Sequence, residues 1–118
     1  MRAIGYHDFV FAFMVTALAS MPCLAAESGE QLYLENCAAC HRSDGKGITN
    51  VYPALAGSEM VLGSGIDVAL VLIIGRGEMP SFNGTISSTD MASIINYVRN
   101  AWGNAGQPVS AQTIESLR

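Results

Sequence analysis

Five consecutive residues, Cys37-Ala38-Ala39-Cys40-His41, constrain this 118-residue chain more than any other feature. On a helical turn, positions i, i+3 and i+4 share one face. Two thiols at that spacing can reach the two vinyl groups on one edge of a porphyrin, and the next residue turns an imidazole under the iron. This C-x-x-C-H order is the pattern of covalent haem attachment. Paired cysteines also occur in zinc sites, in redox dithiols and in structural disulfides. Choosing among these depends on which other ligands the folded domain keeps.

The first 26 residues read as an export leader. Arg2 opens it, a run of apolar residues extends from Phe9 to Met21, and Pro22 breaks that run before the small-residue exit Cys23-Leu24-Ala25-Ala26. Cleavage is expected after Ala25 or Ala26, leaving residues 27–118 as one domain. Retention as an anchor is the competing reading, and membrane association is expected only in that case. The run is short for a span of about 20 residues and carries an early proline. A lipidated Cys23 is disfavoured by the proline directly before it.

Removing the leader takes His7 and Cys23 with it, so Cys37, Cys40 and His41 are the only Cys or His residues left. A structural zinc site needs about four such ligands, and three are available. A redox dithiol belongs at a strand–helix junction, for which no alternating strand is visible. An exported disulfide would leave His41 unexplained. The mature segment keeps five basic and nine acidic residues, a net charge of −4. It has no basic stripe of the kind a nucleic-acid binder needs. With about 92 residues its own core would be thin, and a large flat cofactor would supply the missing apolar volume.

Three main helices and long loops are expected, in an all-α domain. Ser28, with Gln31 three residues on, has the form of a capping box and starts a helix running through Leu32, Tyr33 and Asn36 to about Cys40. Gly45, Gly47, Asn50, Pro53 and Gly57 mark a long irregular stretch. A short helix can begin at Ser58 and end by Gly63 or Gly65. The second main helix starts near Ser64 or Asp67, carries the run Val68 to Ile74 and stops at Gly75 and Gly77. That run is rich in β-branched residues, but it lacks a partner strand. Ser87 caps the third helix, whose Met91, Ile94, Ile95, Val98 and Trp102 recur at helical spacing. Gly103 ends it, and Pro108 keeps the tail from continuing.

With no second histidine, the other axial position of an iron falls to Met60, Met79, Met91 or Lys46, or stays open. Met91 lies in the buried stripe of the last helix. Met60 sits in a short helix where packing is its natural role, and Lys46 is too close to His41 to reach round a ring. Met79 lies in Gly75-Arg76-Gly77-Glu78-Met79-Pro80, where Pro80 biases it away from helical geometry and the glycines permit a loop that crosses a flat ring. It is the expected ligand. Sulfur and imidazole together raise the potential relative to harder ligands and leave no open position, which points to outer-sphere transfer of single electrons.

At this point the chain resembles the class I c-type cytochromes over essentially the whole mature domain. The resemblance rests on Cys37-Ala38-Ala39-Cys40-His41, Asp44-Gly45-Lys46-Gly47, Tyr52-Pro53-Ala54-Leu55-Ala56-Gly57, Met79-Pro80-Ser81-Phe82 and Asn96-Tyr97-Val98-Arg99. It implies a compact cytochrome c fold wrapped around one covalent haem c, with first and last helices crossing where Gly29 and Tyr33 meet Tyr97. It further implies that the Pro53 carbonyl accepts a hydrogen bond from His41 Nδ1–H and orients the ring. Tyr33, Tyr97 and Trp102 read as packing residues. Arg76 is read as a partner for a haem propionate or as a solvated loop charge. A finer likeness, in Tyr97 to Asn104, Pro108-Val109-Ser110 and Tyr52 to Leu55, is to the haem domains of periplasmic alcohol and sugar dehydrogenase cytochrome subunits. Those subunits typically carry several haems, whereas this chain has a single C-x-x-C-H.

The function implied is that of a periplasmic electron carrier, not an enzyme, passing electrons from a dehydrogenase toward a terminal oxidase or reductase. The acidic surface anticipates partners with basic patches and association that weakens with salt. A haem peroxidase in which Met79 leaves the iron is the alternative. A gas sensor ranks last, for want of an output domain.

Overall fold

The computed structural model describes residues 26–118, so the expected leader lies outside the described residues except for Ala26. Six helices follow in order: α1 (Gly29–Asn36), α2 (Ala38–His41), α3 (Glu59–Leu62), α4 (Gly65–Ile74), α5 (Ser88–Val98) and α6 (Ala111–Ser116). Among the described residues there is no sheet, only three isolated bridges. No described helix is long and apolar enough to cross a membrane.

Serine chemistry sets where the helices start. Ser28, Ser58, Ser64, Ser87 and Ser110 each accept a backbone N–H of the following turn through the side chain. Each cap satisfies an orphan donor, and losing one costs about 1 kcal/mol. The capping box at Ser28 is only half formed. Its hydroxyl takes Gln31 N at 3.2 Å, but the Gln31 amide donates to Glu27 and Glu35, each at 3.4 Å. The run rich in β-branched residues is the helix α4. With no strand beside it, an extended segment would leave its backbone groups unpaired.

Three expectations need correction. The first helix does not reach Cys40 unbroken, because Cys37 departs from helical geometry at φ −126° and caps the separate turn α2. The last long helix ends at Val98, and Trp102 stands beyond it at φ 54°. The tail resumes as α6 after Pro108, capped by Ser110 and anchored by the fully buried Ile114. Pro108 lies outside that helix and so does not oppose it.

The core is built where α1 crosses α5, with α6 packed on α5 from the other side. A Cβ on Gly29 would come within 2.2 Å of the Ser93 carbonyl and 3.0 Å of Tyr97 Cβ, so the absence of a side chain is what lets the two backbones approach. One turn further on, Tyr33 is wholly buried, its ring 5.5 Å from Tyr97 and 5.1 Å from Trp102 in tilted or edge-on contact. Such pairs are worth about 1 kcal/mol beyond the area they bury. The crossing implied by Gly29, Tyr33 and Tyr97 is therefore present, and Trp102 completes it from the loop, donating its indole N–H to the Ser43 carbonyl at 3.0 Å.

Candidate functional site

The cavity beside this crossing has a volume of about 740 Å³. Its apolar wall comes from Val61 of α3, Val68, Val71 and Leu72 of α4, and Ile94, Ile95 and Val98 of α5. Cys37, Cys40 and His41 also line it, as do Met79, Pro80 and Phe82.

The first wall is the C-x-x-C-H turn. Cys37 begins it, and its carbonyl accepts from Cys40 N at 3.3 Å and His41 N at 3.0 Å, so the two cysteines and the histidine are carried on one tight turn. Tyr33 fixes the end of that turn, its hydroxyl donating to the Arg42 carbonyl at 2.6 Å. Burial raises the Tyr33 phenol well above its ordinary range, with Cys37, Tyr97 and Asp44 adding to the effect. The loop then doubles back. Gly47, at φ 60°, passes so close that a Cβ there would lie 2.6 Å from the Pro53 carbonyl oxygen, and its N–H bonds the His41 carbonyl at 3.0 Å. This brings Pro53 O to 2.9 Å from His41 Nδ1. A carbonyl can only accept, so Nδ1 carries the proton and the Nε2 lone pair is left free to act as a ligand. His41 itself is only 8 % exposed.

Both thiols are free of disulfide, Cys37 half-buried and Cys40 exposed. Burial, with Cys40 beside it, pushes the Cys37 thiol up to about 11. An attacking redox thiol needs the opposite shift. Among the described residues no three His, Cys, Asp or Glu side chains converge as a metal-ion site. What the turn offers is two alkylatable sulfurs and one imidazole nitrogen along an apolar cavity large enough for a flat ring. The residues fit a covalently held haem.

The loop after α4 also lines the cavity. Gly75 ends that helix at φ 82°, and a Cβ there would lie 2.7 Å from the Met79 carbonyl oxygen. Arg76 and Met79 exchange both backbone hydrogen bonds at 3.0 Å, closing a tight hairpin. Ser81 Oγ donates to the Ile73 carbonyl at 2.5 Å and Phe82 N to Leu72 O at 2.8 Å, which ties the hairpin back onto α4. Met79 is thereby held half-buried at the cavity. Met60 also borders the cavity, its sulfur accepting from Arg76 Nη1 at 3.3 Å. Met91 is fully buried in the core and Lys46 does not line the cavity.

Two residues that position the site carried no assigned role in the sequence. Asn104 is buried and ties the loop at residues 55 to 57 to the end of α5. Its amide donates to Leu55 O at 3.1 Å and Val98 O at 2.8 Å, while its carbonyl takes Gly57 N at 2.8 Å. Nothing in the local pattern marks it. Arg99 is buried too, donating to Val61 O, Gly63 O and Gln107 O. It follows Met91 and Ile95 at steps of four, just past the end of α5 at Val98, but its partners come from other segments.

Over residues 24–98 the sequence matches the family described as "Cytochrome C oxidase, cbb3-type, subunit III". It is 34% identical over 105 residues to the cytochrome c subunit of the quinone alcohol dehydrogenase of Gluconobacter oxydans, which covers 77% of this chain but 22% of that protein. The chain thus spans less than a quarter of the dehydrogenase subunit it matches. Cytochrome c-552 of Thermus thermophilus is 30% identical over 115 residues, covering 80% of this chain and 77% of that one. In three dimensions the chain resembles cytochrome c6 of the diatom Phaeodactylum tricornutum with a TM-score of 0.50 at 28% identity, over 59% of this chain and 85% of the other. None of these likenesses is to a peroxidase, and that alternative is without support. The chain belongs to the cbb3 subunit III family of class I c-type cytochromes and has the compact cytochrome c fold.

Proposed function

We propose that Cys37 and Cys40 hold the haem through thioether links, that His41 Nε2 and Met79 sulfur are its axial ligands, and that Pro53 orients the His41 ring. The carrying observation is that His41 and Met79 border the same cavity, while Met91 and Lys46 stay away from it. Met60 shares the cavity, but its sulfur is engaged by Arg76. When bound, the haem supplies reversible one-electron chemistry. The protein's part is to keep the two ligands in place and water out. Pro53 fixes the His41 tautomer and ring angle, the hairpin presents Met79, and the α3–α5 wall supplies an apolar surround. A haem held by both His41 and Met79 would leave no free position for small molecules, and would supply electron transfer between proteins.

The protein is proposed to work outside the cytoplasm, after loss of residues 1–26 by cleavage after Ala25 or Ala26. Its electrons are proposed to come from a dehydrogenase and to go to a terminal oxidase or reductase. Support comes from the likeness to an alcohol dehydrogenase cytochrome subunit and from that to a gluconate 2-dehydrogenase cytochrome subunit of Pantoea cypripedii. A second reading, as one domain of a larger cytochrome subunit, is favoured by the small share of those subunits that the chain covers. Expression in a host that matures c-type cytochromes tests the ligand assignment. One haem per chain should resist acidified organic solvent, and Met79→Ala should abolish the sulfur-to-iron charge-transfer band. A colourless product would end the proposal, and an unchanged band would end the role of Met79. Reduction by a co-purifying dehydrogenase, slowing as salt rises, tests the partner.

A further inference from the structure

We infer that the cleft between the start of α4 and the 105–110 loop is a binding site for a small oxyanion, built on Arg99. This cleft of about 590 Å³ is separate from the haem cavity and is lined by Ser64, Gly65, Ile66, Arg99, Gly106 and Thr113 among others. Arg99 is only 3% exposed. A guanidinium that deeply placed is normally matched by a carboxylate, because an uncompensated buried charge is costly. Here it has none. The ion pairs among the described residues are Arg42 with Asp44 and Arg118 with Glu115.

Arg99 is instead held by carbonyl dipoles on one side. Nη1 donates to Val61 O at 2.6 Å and Gly63 O at 3.0 Å, and Nε donates to Gln107 O at 3.1 Å. Among the described residues Nη2 has no hydrogen-bond acceptor, yet no sealed side-chain nitrogen there lacks a partner. Nη2 therefore opens on the cleft. The three carbonyl bonds fix the plane of the fork, leaving one pre-oriented nitrogen with two N–H groups.

The start of α4 supplies the second half. Its ten residues bring a partial positive charge to the same cleft, with the Ile66 amide already taken by the Ser64 cap at 3.2 Å. A Cβ on Gly65 would meet the Val109 side chain first and would lie 3.6 Å from Arg99 Nε and Cζ, so the helix start lies near the guanidinium with Val109 against it. Asp67, the acid in that first turn, does not line the cleft. A side chain on Gly106 would sit 2.9 Å from Nη2, so its absence keeps the approach open. A planar or tetrahedral oxyanion, whether carboxylate or phosphate, is the ligand that such donors recognise.

The test is a titration of the labelled holoprotein with sodium phosphate, and separately with sodium acetate, against sodium chloride at equal ionic strength. The probes are the amide resonances of Gly65, Ile66 and Gly106 and the Arg99 Nε–H. Saturable shifts confined to these groups are expected with an oxyanion and not with chloride, and the stronger of the two salts identifies the class of ligand. Arg99→Lys, which keeps the charge but loses the fork, should weaken binding by about tenfold. Since Arg99 also supports the fold, Gly106→Ala provides the second variant: its methyl crowds Nη2 and should weaken binding while the haem spectrum stays unchanged. Shifts shared by chloride, shifts spread over the surface, or shifts indifferent to Gly106→Ala would overturn the site.

Discussion

The two walls of the haem cavity are built on different plans. The His41 wall is local. Five neighbouring residues set the chemistry, and the bonds that stiffen it fall on the motif itself or just past it, from Cys37 O to His41 N, Tyr33 Oη to Arg42 O, and Gly47 N to His41 O. The Met79 wall is hung from elsewhere. Its hairpin holds itself with two bonds between Arg76 and Met79 and is fastened to α4 through Ile73 and Leu72. The proposed attachment points sit on the self-contained wall. The proposed second ligand sits on the wall whose position depends on how a helix and a loop pack.

That contrast can be broken by substitutions on each side. The largest effect belongs to the local wall. Replacing His41 by Ala, or both cysteines together, should abolish accumulation of coloured protein, read as haem absorbance per chain in the purified fraction. Met79→Ala should leave the haem attached but open an axial position, so the ferrous protein should then bind carbon monoxide, which the wild type resists. If Met79→Ala also failed to hold haem, the two walls would not be separable.

Smaller changes sharpen the same comparison. Gly75→Ala forces a side chain into positive φ and against the Met79 carbonyl, and should cost about 2 kcal/mol in denaturant unfolding together with a weakened sulfur charge-transfer band. On the other wall, the Tyr33 phenol is raised by burial in the folded state. Its contribution to stability is whole below the unfolded value of about 10 and is lost as pH climbs above it. Tyr33→Phe should therefore flatten the alkaline loss of stability between about pH 10 and 12, at a cost near 1 kcal/mol at neutral pH for the bond to Arg42 O. Ser81→Ala removes one tether of the hairpin, and about 1 kcal/mol is expected, read as a small shift of the unfolding midpoint. An equal or larger loss of the iron–sulfur band than for Gly75→Ala would show that the tether, not the turn, presents Met79.

Much of this was readable from composition and spacing, for a reason that differs by element. The helix starts were legible because a serine cap acts on amides two or three residues away, within the chain. The haem-attachment turn was legible because its chemistry needs a fixed spacing. The break at Cys37 was not, since local propensity favours continuing the helix through Ala38 and Ala39. Trp102 continues the periodicity of α5 yet lies outside it, because its indole satisfies Ser43 O across 59 positions and packs on Tyr33. The helix α6 was hidden by Pro108, although the proline only precedes its cap.

By itself the order of residues pointed to the cofactor and the all-helical class, and it supplied the proposed attachment points and the shortlist for the second ligand. All of these depend on groups within a few positions of one another. Only the tertiary structure decided which methionines border the cavity, that Asn104 ties the loop at residues 55 to 57 to α5, and that Arg99 is a buried cation without a carboxylate. Those facts depend on distances between segments 36 to 49 positions apart. Contacts of that range are set by packing, and no local pattern encodes them.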